Sequence, residues 1–128
     1  MIFGIGTDLV EIARVNEKLE KNTGFVDLVY SVNEIAYCNS KTKSAESYAA
    51  RFAAKEAFLK ALKTGMFATI TLNQIEVLND KFGAPYFILS KEVESIVEKK
   101  TGTSNFKTHL SISHTSMFAT AVVVIEIL

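Results

Sequence analysis

The chain has a single cysteine, Cys38, a single proline, Pro85, and no tryptophan. One cysteine excludes an internal disulfide and any cysteine-based zinc cluster, and it suits a reducing compartment. An excess of charge is also missing: 14 basic residues face 14 acidic ones, for a formal net charge of zero. Nothing global therefore draws the protein to nucleic acid or to a membrane, and any polyanion site has to be local. The longest purely apolar run, Ala121 to Ile125, is far too short to span a bilayer. The first residues carry no basic region ahead of a long apolar stretch, so a signal peptide is not expected and a cytoplasmic protein is. There is no His-x-x-x-His, Gly-x-Ser-x-Gly or Walker-type glycine loop, and each absence removes a familiar mechanism.

What remains is the composition of an ordinary globular chain. Its 128 residues, 48% apolar and 22% charged, fit one domain over 1–128 with a substantial core. Ile2 to Gly6 is a short apolar run that reads as a buried strand making a tight approach at Gly6-Thr7. A helix is expected over Glu11 to Asn22, with Asp8 and Glu11 spaced as a capping box that gives Asp8 an N-cap role. Arg14, Lys18 and Lys21 fall on one stripe of that helix, either a solvated face or a docking surface for an acidic partner. Phe25 to Tyr30 reads as a short helix, and Ser31 with Glu34 caps another through Cys38.

A long helix should begin near Ser44 and end at Gly65. At about 100° per residue, Tyr48, Phe52, Leu59 and Leu62 share a core face, with Lys55 placed where an aliphatic residue belongs. Glu56, Lys60 and Lys63 form a charged strip, and Glu56 with Lys60 has the spacing of a surface ion pair. Six alanines between Ala49 and Ala61 let other backbones come close. Beyond it, Thr69 to Leu78 reads as a strand, with turns at Asn79-Asp80 and Gly83–Pro85 and a strand over Tyr86 to Leu89. Ser90 caps a helix to about Lys100, and strands follow over Lys107 to Thr115 and Met117 to Leu128. The last is apolar on both faces, as a central strand or one meeting another subunit would be. The order favours an α+β fold, a small mostly antiparallel sheet on a long helix with a C-terminal β-hairpin.

Two carboxylates, Asp8 and Glu56, stand out beside a local surplus of cations: Arg51, Lys55, Lys60, Lys63 and His114. Two hard carboxylates are too few for a calcium cage but suit Mg²⁺, which keeps waters and borrows ligands from substrate phosphates. A metal with phosphate-binding cations and no nucleophilic side chain points to transfer of a phosphoryl-type group.

Gly6-Thr7-Asp8, the run from Arg51 to Ala61 (RFAAKEAFLKA) and Ser111-Ile112-Ser113-His114-Thr115 resemble the three motifs of the holo-acyl-carrier-protein synthases, the short 4′-phosphopantetheinyl transferases. The resemblance extends over essentially the whole chain. It implies an Mg²⁺-dependent transfer of 4′-phosphopantetheine from coenzyme A to a serine of apo acyl carrier protein, releasing adenosine 3′,5′-bisphosphate. By motif position, Asp8 and Glu56 become the metal ligands and Lys60 stabilises the pyrophosphate. Arg51 and His114 meet the phosphates of the adenylate end, and Gly83 to Pro85 borders the adenine. Glu56 acting through a water, or else Lys60, is the general base. Arg14, Lys18 and Lys21 match a docking helix for the acidic carrier, and family members of this length are trimers with sites between subunits. Lys63 stands where similar proteins usually carry glycine. The alternative function is a non-catalytic module that binds coenzyme A or a carrier protein.

Overall fold

The computed structural model describes residues 1–64 and 70–128. In order, the elements are strand β1 (Ile2–Glu11), helices α1 (Ile12–Glu20), α2 (Phe25–Val29), α3 (Val32–Asn39) and α4 (Ser44–Ala61), strands β2 (Ile75–Asn79) and β3 (Pro85–Leu89), helix α5 (Lys91–Thr101), and strands β4 (Phe106–His114) and β5 (Phe118–Ile127). All strand pairs are antiparallel, and the expected α+β architecture with a C-terminal hairpin is present. The strands divide into two sheets, β1-β5-β4 and β2-β3. β5 is the central strand of the larger one: Ala119, Ala121, Val123 and Ile125 are buried, while Phe118 and Val122 stay open to solvent on the other face.

β1 and α4 are built for close contact. A Cβ placed on Gly4 would lie 1.9 Å from the Ala61 carbonyl oxygen, and one on Gly6 would lie 1.9 Å from that of Ala57. The glycines and alanines that face each other let the strand lie directly on helical backbone, where any larger residue would force it away. Phe58, Leu62, Val77, Val93, Val123 and Ile125 fill the space around this contact. A second cluster, with Val15, Tyr30, Cys38, Tyr48 and Ala119, joins α1, α2 and α3 to the first half of α4. α4 is thus buried on nearly all sides, more than the single core face its periodicity indicates.

Several boundaries depart from expectation for identifiable reasons. β1 does not end at Gly6-Thr7: it pairs with β5 out to Glu11, and Asp8 sits opposite Ala121. Asp8 is therefore no N-cap, and α1 starts at Ile12 without a side-chain cap and ends at Glu20, short of Asn22. α4 does not run to Gly65, which lies outside the described residues. It closes in a Schellman motif, with Lys63 N–H bonded to the Lys60 carbonyl and Thr64 N–H to that of Leu59. Lys63 takes the left-handed position, φ 62°, the place where glycine is the usual choice.

The strand expected over Thr69 to Leu78 is shorter. Thr69 is outside the described residues, Leu72–Gln74 forms a 3₁₀ turn, and β2 begins only at Ile75. The carbonyls of Leu72 and Ile75 accept from Lys55 Nζ, at 2.9 and 2.7 Å. The two turns expected after β2 are one, closed by Asp80, whose Oδ1 accepts from the N–H groups of Phe82 and Ala84. Ser31 and Glu34 form the anticipated capping box, Ser90 accepts from Val93 N–H, and Gly102 closes α5 in the left-handed conformation.

Candidate active site

Asp8 and Lys60 meet because β1 lies on α4. Lys60 Nζ is 3.0 Å from Asp8 Oδ1 and donates to the Thr7 carbonyl at 2.9 Å. The expected Glu56–Lys60 surface pair does not form; the ammonium turns across to the strand instead. Glu56 remains within electrostatic reach of Asp8. Burial holds the Glu56 carboxyl above its ordinary range, the Asp8 charge adds to this, and the ammoniums of Lys60 and Lys18 oppose it. Glu56 thus sits half-buried beside a second carboxylate.

Lys18, expected on a docking stripe, reaches into this neighbourhood. Its ammonium lies 5.5 Å from the Phe25 ring centroid and 5.6 Å from that of Phe52, whose rings are stacked. Arg14 and Lys18 line a groove of about 280 Å³ with an apolar floor that includes Leu9, Val15, Phe52 and Phe118. Lys21, at the end of α1, is exposed but does not line that groove.

A second group assembles on another side of α4. Arg51, His114, Gly83 and Pro85, four residues far apart in sequence, line one cleft of about 260 Å³. Arg51 is only 4% exposed. Its guanidinium carbon lies 4.2 Å from the centroid of the Tyr37 ring, and its Nη2 donates to Asn79 Oδ1 at 2.7 Å. Its Nε is buried without a partner, a donor the fold leaves unused. His114 Nδ1 is 3.8 Å from Glu46 Oε1 across the cleft. Arg51 and Lys60 are nine residues apart, which places them about 180° around the helix and about 13 Å along it. The two groups therefore look out on opposite sides of α4.

Lys55 belongs to neither group. It is fully buried, and its ammonium donates to Glu34 Oε1 at 2.7 Å as well as to the two carbonyls beside β2. Burial lowers its pKa, and the Glu34 carboxylate opposes that shift. The second Glu34 oxygen accepts from Val77 N–H at 2.9 Å. Lys55 braces α4 against α3 and β2. Glu34 was legible only as a local cap, since no periodicity links it to a helix 21 residues on; Asn79 was legible only as a turn residue, and Tyr37 carried no signal.

Among the described residues no group of three or more His, Cys, Asp or Glu side chains is placed to hold a metal. Also among them, no helix is long and apolar enough to cross a membrane. The donors on offer are the hard oxygens of Asp8 and Glu56.

Comparisons with known proteins agree with these motifs. Residues 4–115 match the 4′-phosphopantetheinyl transferase superfamily. The holo-[acyl-carrier-protein] synthase of Geobacter sp. (strain M21) is 43% identical over 127 residues, 98% of this chain and 99% of that one. Its counterpart in Cytophaga hutchinsonii is 55% identical over 97 residues, 76% of each chain. Among solved structures, the holo-(acyl-carrier-protein) synthase from Bacillus anthracis in complex with CoA (3′,5′-ADP) has a TM-score of 0.81 at 36% identity, covering 100% of this chain and 99% of that one. The enzyme from Neisseria meningitidis has a TM-score of 0.86 at 32% identity, covering 98% and 99%. The chain belongs to the 4′-phosphopantetheinyl transferase superfamily, among the holo-[acyl-carrier-protein] synthases.

Proposed function

We propose that this protein moves the 4′-phosphopantetheine arm of coenzyme A onto a serine of an apo acyl carrier protein. The observation that carries the reading is the placing of Lys60 on Asp8 with Glu56 nearby, in the last turns of the motif helix. In the reaction the serine oxygen forms a bond to the β-phosphorus of coenzyme A. The phosphoanhydride bond breaks, adenosine 3′,5′-bisphosphate leaves with the bridging oxygen, and the serine proton passes to a base.

The residues present fit Mg²⁺. Asp8 and Glu56 offer hard oxygens close enough for the Asp8 charge to act on Glu56, a donor set that suits a small divalent cation. Bound there, Mg²⁺ would supply Lewis-acid charge at the pyrophosphate. Lys60 is 56% exposed at its side chain and uses two of its three hydrogens on Thr7 and Asp8, leaving one to meet a phosphate oxygen. Glu56, acting through a water, is the general base of this reading, with Lys60 second.

Arg51 and His114 bind phosphate at the adenylate end, and Gly83 to Pro85 borders the base. Arg51 and Lys60 face opposite sides of one helix, so a coenzyme that meets both kinds of group is held between two copies of the chain. The outer face of β1 and β5, with Ile5 and Leu9 63% and 66% exposed beside Val122, gives the copies an apolar surface on which to associate as a trimer. The carrier's acidic surface meets Arg14 and Lys18 at their groove, with Lys21 at the end of the same helix. Cys38, buried with its thiol pushed up to about 11, stays a protonated, unreactive side chain and suits a cytoplasmic setting.

Mass spectrometry of an apo carrier protein incubated with this protein, coenzyme A and Mg²⁺ tests the reading. A gain of one phosphopantetheine mass is expected, abolished by chelation and by Glu56→Gln. No gain across several carriers with folded protein overturns it, and ligand binding that survives in a turnover-free wild type would mark a binding module instead.

A further inference from the structure

Asn79, the last residue of β2, touches both sides of the Arg51 cleft. Its Oδ1 accepts from Arg51 Nη2 at 2.7 Å, and its Nδ2 donates to the Gly83 carbonyl at 3.0 Å. One amide therefore ties the buried guanidinium to the turn that lines the cleft. The guanidinium has little other restraint on its rotation in plane. Tyr37 covers its face at 4.2 Å, which fixes the plane but not the direction of the fork, and Nε has no partner. The hydrogen bond from Nη2 to Asn79 sets that direction.

The turn is equally dependent on small polar contacts. Gly83 has φ 87°, Asp80 Oδ1 holds the N–H groups on either side of it, and Asp80 N–H bonds to the Ala84 carbonyl at 2.9 Å. These bonds shape the turn internally. The Asn79 amide is the side chain that fastens it to Arg51.

We propose that Asn79 is a positioning residue for the adenylate end of coenzyme A, holding the Arg51 fork and the Gly83–Pro85 turn in one fixed relation. Phosphate recognition then depends on a side chain that itself carries no charge. The proposal rests on the coenzyme A reading of this cleft. Its signature is selectivity: losing the amide weakens recognition of a donor carrying the 3′-phosphate more than of one lacking it.

The test is steady-state kinetics with coenzyme A and with dephospho-coenzyme A, on the wild type, Asn79→Ser, Asn79→Asp and Arg51→Lys. In Asn79→Ser the KM for coenzyme A should rise about tenfold, the size of one lost hydrogen bond to a charged group, with kcat within about twofold. The KM for dephospho-coenzyme A should rise less, so the preference between the two donors falls at least about threefold. Asn79→Asp keeps the acceptor, loses the donor to Gly83 and neutralises Arg51, so the preference should fall further. That variant is isosteric, and it keeps the test open if the serine variant folds poorly. An equal rise in both KM values, or an unchanged preference in both variants, overturns the proposal, because a merely loosened turn would give the former. If Arg51→Lys alone collapses the preference, Asn79 has no positioning role and the cleft reading stands. If the wild type has no preference and Arg51→Lys changes nothing, the phosphate assignment of the cleft falls and the proposal falls with it.

Discussion

Two lysines on one helix make the same kind of bond in different surroundings. Lys55 and Glu34 meet at 2.7 Å with both side chains wholly buried. Lys60 and Asp8 meet at 3.0 Å with side-chain exposures of 56% and 15%. All three Lys55 hydrogens have protein acceptors, and both Glu34 oxygens are engaged, so nothing is left to bind anything else. Lys60 has a hydrogen in reserve, and Asp8 an oxygen outside the pair. Solvent access and unused valence, rather than pairing itself, separate the brace from the pair proposed to act on substrate.

Breaking the buried pair should have the largest effect. Lys55→Met leaves Glu34 charged, buried and unpaired, at a cost of about 3–5 kcal/mol in stability. Urea unfolding checks it, and a midpoint close to wild type would mean that water replaces the ammonium. On the exposed side, Glu56→Gln should lower turnover by at least about 100-fold, the scale on which removing one charge-stabilising group acts. Stability should move the other way. The native protein holds the Glu56 proton more tightly than the unfolded chain does. The group's contribution is fully present below the ordinary value of 4.5 and is lost as pH rises through the raised native one. Without divalent cation, unfolding midpoints of the wild type should therefore fall across that window, while those of Glu56→Gln stay flatter.

Lys63→Gly should have the smallest effect. Glycine relieves about 1–2 kcal/mol of left-handed backbone cost. It also forfeits the contact of the ammonium with the Phe3 ring at 4.6 Å, worth about 0.5–1 kcal/mol, and gains about as much unfolded-chain entropy. The offsets leave a net change under about 1 kcal/mol, readable by thermal denaturation.

Much of this was legible in the sequence where a residue's role depends on near neighbours. The capping box at Ser31, the cap at Ser90 and the alternation of β4 are local patterns, and each formed as spaced. The four residues expected around the adenylate end do line one cleft, because their motifs fix them by position in the family rather than by periodicity. What failed was set at a distance. Asp8 had the spacing of a helix cap, but pairing with Ala121 keeps it in a strand. Lys60 had a partner four residues back, yet the strand laid on the helix by Gly4 and Gly6 offers a closer one. Lys55 was visible as a charge in an apolar face, while its partner could be found only once α3 was docked. Lys63 shows the converse: a helix can stop in the left-handed conformation without glycine when the Schellman bonds are made.

The most direct measurement pairs stability with turnover in Lys60→Met. The account predicts a urea midpoint within about 1 kcal/mol of wild type, as for loss of an exposed ion pair. It predicts at the same time a loss of phosphopantetheine transfer of at least about 100-fold. Near-wild-type transfer, or a loss of stability as large as that of Lys55→Met, would contradict the assignment of Lys60 and Asp8 to the working side of the helix.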